Sequence, residues 1–167
     1  YDANGNPRMT AGLYAACPNS PYRNEHSFKI IREILVDNGV DGIWENAASF
    51  GGLCHCKYCQ EKYLSDTGHQ LPKVEDWEDP SYARYVQWRY NAVEEHAAAM
   101  RRVIDACGED KAYLAEIPGP NSVRWSLQGG LDISTAGQYF DFMACPCFVI
   151  GRDSYGSLHF PSPIYGS

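Results

Sequence analysis

Val40-Asp41-Gly42-Ile43-Trp44-Glu45-Asn46 follows directly on Gly39, starts apolar, ends polar, and is too brief for a helix. It reads as a β-strand. The residues before it are helical in pattern: Ser20 stands as an N-cap, Pro21 takes the first helical position, and Phe28, Ile31 and Leu35 with Ile30 and Ile34 form an apolar face up to Gly39. A helix that runs straight into an apolar strand is one half of a βα repeat, and the rest of the chain continues it. Residues 57–66 read as a short helix stopped by Gly68. Asp79-Pro80 opens a long helical pattern through Tyr82, Tyr85, Val86, Val93, Met100, Val103 and Ile104, closed by Gly108. Residues 112–117 form a second strand ending at Pro118, residues 133–138 a helical turn, and residues 139–145 a third strand. Helices alternating with apolar strands imply parallel pairing through crossovers rather than hairpins, and hence an α/β fold. Upstream, residues 1–19 are turn-rich around Asn4-Gly5-Asn6-Pro7, with an extended run over 9–16. No internal repeat is visible.

Composition supports one globular domain spanning residues 1–167, with 44% hydrophobic and 13% aromatic residues. The net charge of −7 leaves no basic stripe for a phosphate backbone, so nucleic acid is not an expected partner. An uncharged polar ligand fits better. No apolar run approaches the roughly 18 to 20 residues of a membrane helix, so a membrane is not expected either. The chain begins at Tyr1 and closes in Phe160-Pro161-Ser162-Pro163-Ile164-Tyr165-Gly166-Ser167, which reads as a piece of a larger protein. The odd count of seven cysteines does not suit a fully paired disulfide framework, and a reducing, cytoplasmic setting is the expectation.

Three of those thiols fall in Cys54-x-Cys56-x-x-Cys59, behind Gly51-Gly52, close enough to share one tetrahedral ion. Zn²⁺ prefers such thiolates, with a fourth ligand from elsewhere: Cys17 first, His55 or His69 as alternatives. An all-thiolate site is coordinatively closed, so it would staple the loops around 54–59 and hydrolyse nothing. A redox role for Cys56-x-x-Cys59 lacks the βαβ start of a thioredoxin-type motif. Cys107, Cys145 and Cys147 read as small buried thiols.

Glu45 and Glu116 each stand at the C-terminal end of an expected parallel strand, the edge at which α/β sheets and barrels display reacting groups. Two carboxylates in different environments are what glycoside hydrolysis requires. The plainer reading is a carboxylate paired with an arginine at the strand end. Trp44 and Trp125 could offer flat apolar faces to sugar rings, although such residues more often pack in a core. Tyr82, Tyr85, Trp88 and Tyr90 are packing residues by their helical spacing, and Asp132, Asp141 and Asp153 follow no readable pattern. Gly51-Gly52 and Gly129-Gly130 fit neither a dinucleotide fingerprint nor a phosphate loop.

Taken together, Cys17-Pro18-Asn19-Ser20-Pro21-Tyr22-Arg23, a helix, a strand ending in Glu45, and Cys54-His55-Cys56-Lys57-Tyr58-Cys59-Gln60-Glu61-Lys62-Tyr63 resemble the middle of glycoside hydrolase family 42 β-galactosidases and related hypothetical glycosyl hydrolases. The resemblance covers about residues 1–68 and, beyond them, only the βα order. It implies a (β/α)8 TIM barrel of which this chain supplies about strands three to six. It also implies a structural zinc held by Cys17, Cys54, Cys56 and Cys59, with Glu45 as the acid/base of a retaining cleavage of β-linked sugars, galactosides among them. In the family an Asn precedes the catalytic Glu. Here Trp44 precedes Glu45 and Asn46 follows it, an order nearer to the hypothetical relatives, in which an aromatic, an acid and Asn succeed one another. Trp44, Asn46 and Trp125 are then the sugar contacts, and Glu116 is the second carboxylate within the chain. The family's nucleophile comes from the seventh strand, so the isolated chain is expected to be inactive. A carbohydrate is the expected partner, and a homo-oligomer is compatible with this reading. The alternative is a non-catalytic, zinc-stabilised carbohydrate-binding or interaction module.

Overall fold

Asp79 takes its first role as a cap: its carboxylate accepts the Ser81 backbone N–H at 2.8 Å, and Pro80 follows at a position where a missing N–H costs nothing. The helix so begun is the spine of the molecule, and a computed structural model describes it together with residues 1–10, 12–46, 49–50, 52–116, 127 and 129–144. In chain order the described elements are a small antiparallel hairpin of β1 (Met9–Thr10) and β2 (Leu13–Tyr14), then a π-helical turn (Tyr22–His26) leading into α1 (Ser27–Asp37). Next come β3 (Gly42–Asn46), α2 (Lys57–Thr67), α3 (Pro80–Asp105), β4 (Ala112–Glu116), a one-turn α4 (Ile133–Ala136) with a 3-10 turn (Gly137–Tyr139), and β5 (Phe142–Ala144).

Strands β3, β4 and β5 form one parallel sheet in chain order, with Ile43 level with Tyr113, Asn46 with Glu116, and Glu116 with Ala144. The α/β fold with crossover helices expected from the sequence is therefore present. Three parallel strands that succeed one another without a reversal, helices against one face, make an open sheet consistent with part of a barrel wall.

Side chains of a strand alternate between faces, and here the alternation separates two surfaces. Ile43 and Tyr113 face the helices, where Tyr113 packs with Ile31 and Leu35 of α1 and with Met100 and Ile104 of α3. Ala115 and Met143 face the same side, beneath the other half of α3. Along that half, Tyr82, Tyr85, Val86, Trp88, Ala92 and Val93 pack on Tyr63 of α2 and on the cysteine loop. On the second surface, Trp44, Asn46 and Phe142 are exposed and Leu114, Glu116 and Ala144 half-buried, and no described helix packs there. Trp44 and Phe142 are 56% and 57% exposed on it.

Several local expectations shift. The extended run at 9–16 is a hairpin rather than a single strand, and Arg8 beside it donates to the Leu53 carbonyl, tying it to the cysteine loop at 2.5 Å. The third strand starts at Phe142 rather than 139, because Phe140 turns inward to stack edge-on against Tyr113 at 4.9 Å. Asp132 caps α4 through the Ser134 N–H, and Asp141 accepts from the Tyr113 N–H and from Arg101, both at 2.7 Å. Tyr82, Tyr85 and Trp88 are packing residues, as their spacing predicts. Trp125, Cys145, Cys147 and Asp153 lie outside the described residues.

Candidate functional site

Cys56 is the N-cap of α2, with Cys59 in the first turn, so two thiols lie where the helix dipole favours negative charge. Cys54 precedes them on a loop held by Tyr85, whose hydroxyl accepts the Cys54 N–H at 3.2 Å and donates to the Gly52 carbonyl at 3.3 Å. Cys17 approaches from the turn before the π-helical segment. The four sulfurs lie within 4.8 Å of one another, and Cys54, Cys56 and Cys59 are buried. A tetrahedral ion with bonds of about 2.3 Å requires sulfurs about 3.8 Å apart, so the donor set fits a thiolate-preferring metal. The Cys17 and Cys59 sulfurs are 3.2 Å apart, well beyond a disulfide bond of about 2.05 Å. Hydrogen bonding from Cys17 pulls the Cys56 thiol down to about 7, while contacts with the other three sulfurs push Cys59 up. Four thiols at this range cannot all ionise unless a cation replaces their protons. The fourth place belongs to Cys17, and neither His55 nor His69 joins the cluster.

Beside this centre lies a polar cluster that the sequence reading did not assemble. Glu45 is on the helix side of β3, 9% exposed. Its Oε1 accepts from Arg23 Nη2 at 2.5 Å and lies 3.1 Å from His96 Nε2, while Tyr113 donates its hydroxyl to Oε2. The other ring nitrogen of His96 is 3.0 Å from Asn24 Oδ1, and the Asn24 amide donates to the Pro18 carbonyl at 2.8 Å. Burial pushes the Glu45 carboxyl up, but hydrogen bonding to His96, the charges of His96 and Arg23, and the Tyr113 hydroxyl outweigh it and hold it below the ordinary range. Glu45 is thus ionised, with both oxygens occupied. The Arg23–Glu45 pair is the arrangement that the plainer expectation describes, a carboxylate paired with an arginine at the strand end.

Glu116 is on the opposite face. Register sets it level with Asn46 at the C-terminal edge of the sheet, two residues along from Leu114, which is level with Trp44. Glu45 and Glu116 therefore point to opposite sides of the sheet and cannot flank one bond as a pair. Trp44, Asn46 and Glu116 do share one face.

His96 and Arg23 were the residues missed. The signal for His96 was available: it interrupts an apolar stripe of α3 between Val93, Ala97 and Met100. Arg89 does so one stretch earlier, fully buried over the Tyr85 ring at 5.3 Å, with no hydrogen-bond partner for its guanidinium among the described residues.

No family model matches the chain. A 79-residue stretch, 44% of the chain, is 34% identical to the β-galactosidase BgaP of Planococcus sp. strain L4, and 32% identical to BgaA of Planococcus sp. strain 'SOS Orange'. The chain spans about 12% of the length of each, so part of it is similar to part of a β-galactosidase.

Proposed function

We propose that this chain is a wall segment of a (β/α)8 barrel in a glycoside hydrolase of the family 42 type acting on β-linked sugars, with β-galactosides as the first class to test. The observation that carries the reading is the two-sided sheet. A parallel sheet is ordinarily covered on both faces. Here one face bears the helices, and the other, bare among the described residues, displays Trp44, Asn46 and Glu116 toward the C-terminal edge, where barrel enzymes place their reacting groups. The partial identity to two β-galactosidases supports the same class.

In this reading Glu116 is the carboxylate that the chain contributes to the barrel interior, as acid/base or as a hydroxyl ligand. Asn46 holds a sugar hydroxyl, and Trp44 gives the ring an apolar platform. Glu45, which the family resemblance would make the proton donor, is instead a positioning residue. A general acid must keep its proton near neutral pH and reach the leaving oxygen, and Glu45 is ionised, saturated with hydrogen bonds, and turned to the helices. A two-carboxylate, retaining mechanism needs a second group about 5 to 5.5 Å from the first, which this reading takes from a strand outside the chain. Zn²⁺ in the four-cysteine centre is structural: it staples the 54–59 loop and the Cys17 turn, and it has no open position.

A panel of nitrophenyl glycosides tests the reading. The chain alone is expected to hydrolyse none, and the longer protein containing it is expected to favour β-galactosides among them. Hydrolysis by the chain alone would contradict the assignment of a second carboxylate elsewhere. The non-catalytic module is the second reading, favoured by the single carboxylate among the described residues of the bare face; sugar binding by the longer protein without turnover would establish it.

A further inference from the structure

We infer that the four-cysteine centre and the buried Glu45 cluster are one thermodynamic unit, joined by residues 17–24, so that metal binding orders the C-terminal end of β3. The inference rests on the reading of the cysteines as a metal centre. The segment has two anchored ends. At one end Cys17 is a candidate ligand, and Asn19 donates its side-chain amide to the Cys59 sulfur at 3.4 Å. At the other, the neighbouring residues Arg23 and Asn24 hold Glu45 and His96.

Between the ends the backbone is closed on itself. The Cys17 carbonyl accepts from the Ser20 N–H at 3.0 Å and from its hydroxyl at 2.7 Å. The Ser20 carbonyl accepts from the N–H groups of Arg23 and Asn24 at 3.0 and 3.1 Å, and the Asn24 amide returns to Pro18. The π-helical turn starting at Tyr22 carries both Arg23 and Asn24, so two adjacent residues grip both members of the Glu45–His96 pair. A segment bound this way cannot shift at Cys17 without disturbing Arg23 and Asn24. Fixing the sulfur with a metal therefore fixes the guanidinium against Glu45, and with it the strand end that bears Asn46.

Coupling of binding free energies is reciprocal: if the metal stabilises the cluster, the cluster strengthens the metal site by the same factor. Outer-shell partners of metal ligands commonly contribute 10- to 100-fold in affinity. The test is zinc affinity, measured by competition with a chromogenic chelator at fixed pH, on wild type, Arg23→Met, Arg23→Lys, Asn24→Ala and the surface control Lys29→Ala, each checked for native circular dichroism. Arg23→Met and Asn24→Ala are expected to weaken zinc binding about tenfold, Arg23→Lys much less, and Lys29→Ala not at all. In parallel, the amides of Glu45 and Asn46 are expected to exchange hydrogen more slowly in the zinc-loaded protein than after chelation. A stoichiometric zinc site indifferent to Arg23→Met and Asn24→Ala would overturn the coupling and leave the metal reading standing. Failure of wild type to take up one zinc would overturn both.

Discussion

Glu45 shows how one side chain's direction decides its chemistry. Its oxygens hold Arg23, His96 and Tyr113 together at a junction of β3, α3, β4 and the π-helical turn, and removing the charge leaves the Arg23 guanidinium without its counter-charge in a part-buried site. Breaking a buried pair on one side costs about 3 to 5 kcal/mol, and the amide in Glu45→Gln keeps part of the bonding, so a loss of about 3 kcal/mol in urea denaturation is expected. The pH dependence has a definite sign. Because the folded carboxyl lies below the ordinary value of 4.5, its contribution is fully present above that value and drains away as pH falls below it. Glu45→Gln should therefore flatten the acid limb of the stability curve below about pH 4.5, and an unchanged limb would show that the pair contributes nothing.

The direction of Glu45 was not legible in the sequence, for a physical reason. A parallel strand is ordinarily buried on both faces, so Ile43 with Tyr113 and Trp44 with Leu114 look equally apolar, and the alternation that would assign a face is missing. Only the placement of α1 and α3 resolves it. By contrast, the grouping of the four cysteines was legible, because three of them lie within six residues and Cys17 was the first choice as the fourth.

At the scale of elements, periodicity carried well where an element has one buried face. Helix α3 keeps its stripe over 26 residues and begins at the Asp79 cap that the sequence marks. The π-helical turn, the hairpin and the late start of β5 were not foreseen, since each depends on contacts distant in sequence, such as Phe140 against Tyr113. Two substitutions test how the elements are held together. Ile104→Ala removes a fully buried side chain between α3 and the sheet, and a cost of about 3 kcal/mol is expected in the same denaturation assay. Gly42→Ala is the sharper one, because a Cβ there would lie 2.5 Å from the Ala112 carbonyl oxygen and 2.9 Å from its Cβ. Loss of the native β-sheet signal, or failure to express in soluble form, is the expected outcome. A fully stable Gly42→Ala protein would contradict the close pairing of β3 with β4.

At the scale of the whole molecule, the four-cysteine centre and the bare sheet face pull in different directions. The cysteine cluster brings position 17 and positions 54–59 together in the larger core, so, on the proposed zinc reading, chelation is expected to lower Tm by at least about 10 °C, and re-addition of zinc to restore it. The bare face, with Trp44 and Phe142 more than half exposed, is unsatisfied surface that a barrel interior would enclose. The sequence carried the α/β class and the parallel strands; that the described helices all lie against one face is what the structure adds.

The central claim, that this face and not the helix side handles the sugar, is tested most directly by kcat on an alkyl β-galactoside. Its poor leaving group demands a proton donor. The longer protein that contains these residues would be assayed as wild type, Glu116→Gln and Glu45→Gln, with folding checked by circular dichroism. Glu116→Gln is expected to lower kcat by about 10² to 10⁴ while remaining folded, and folded Glu45→Gln to keep most of its turnover. Full activity in Glu116→Gln, with turnover abolished in a folded Glu45→Gln, would contradict it.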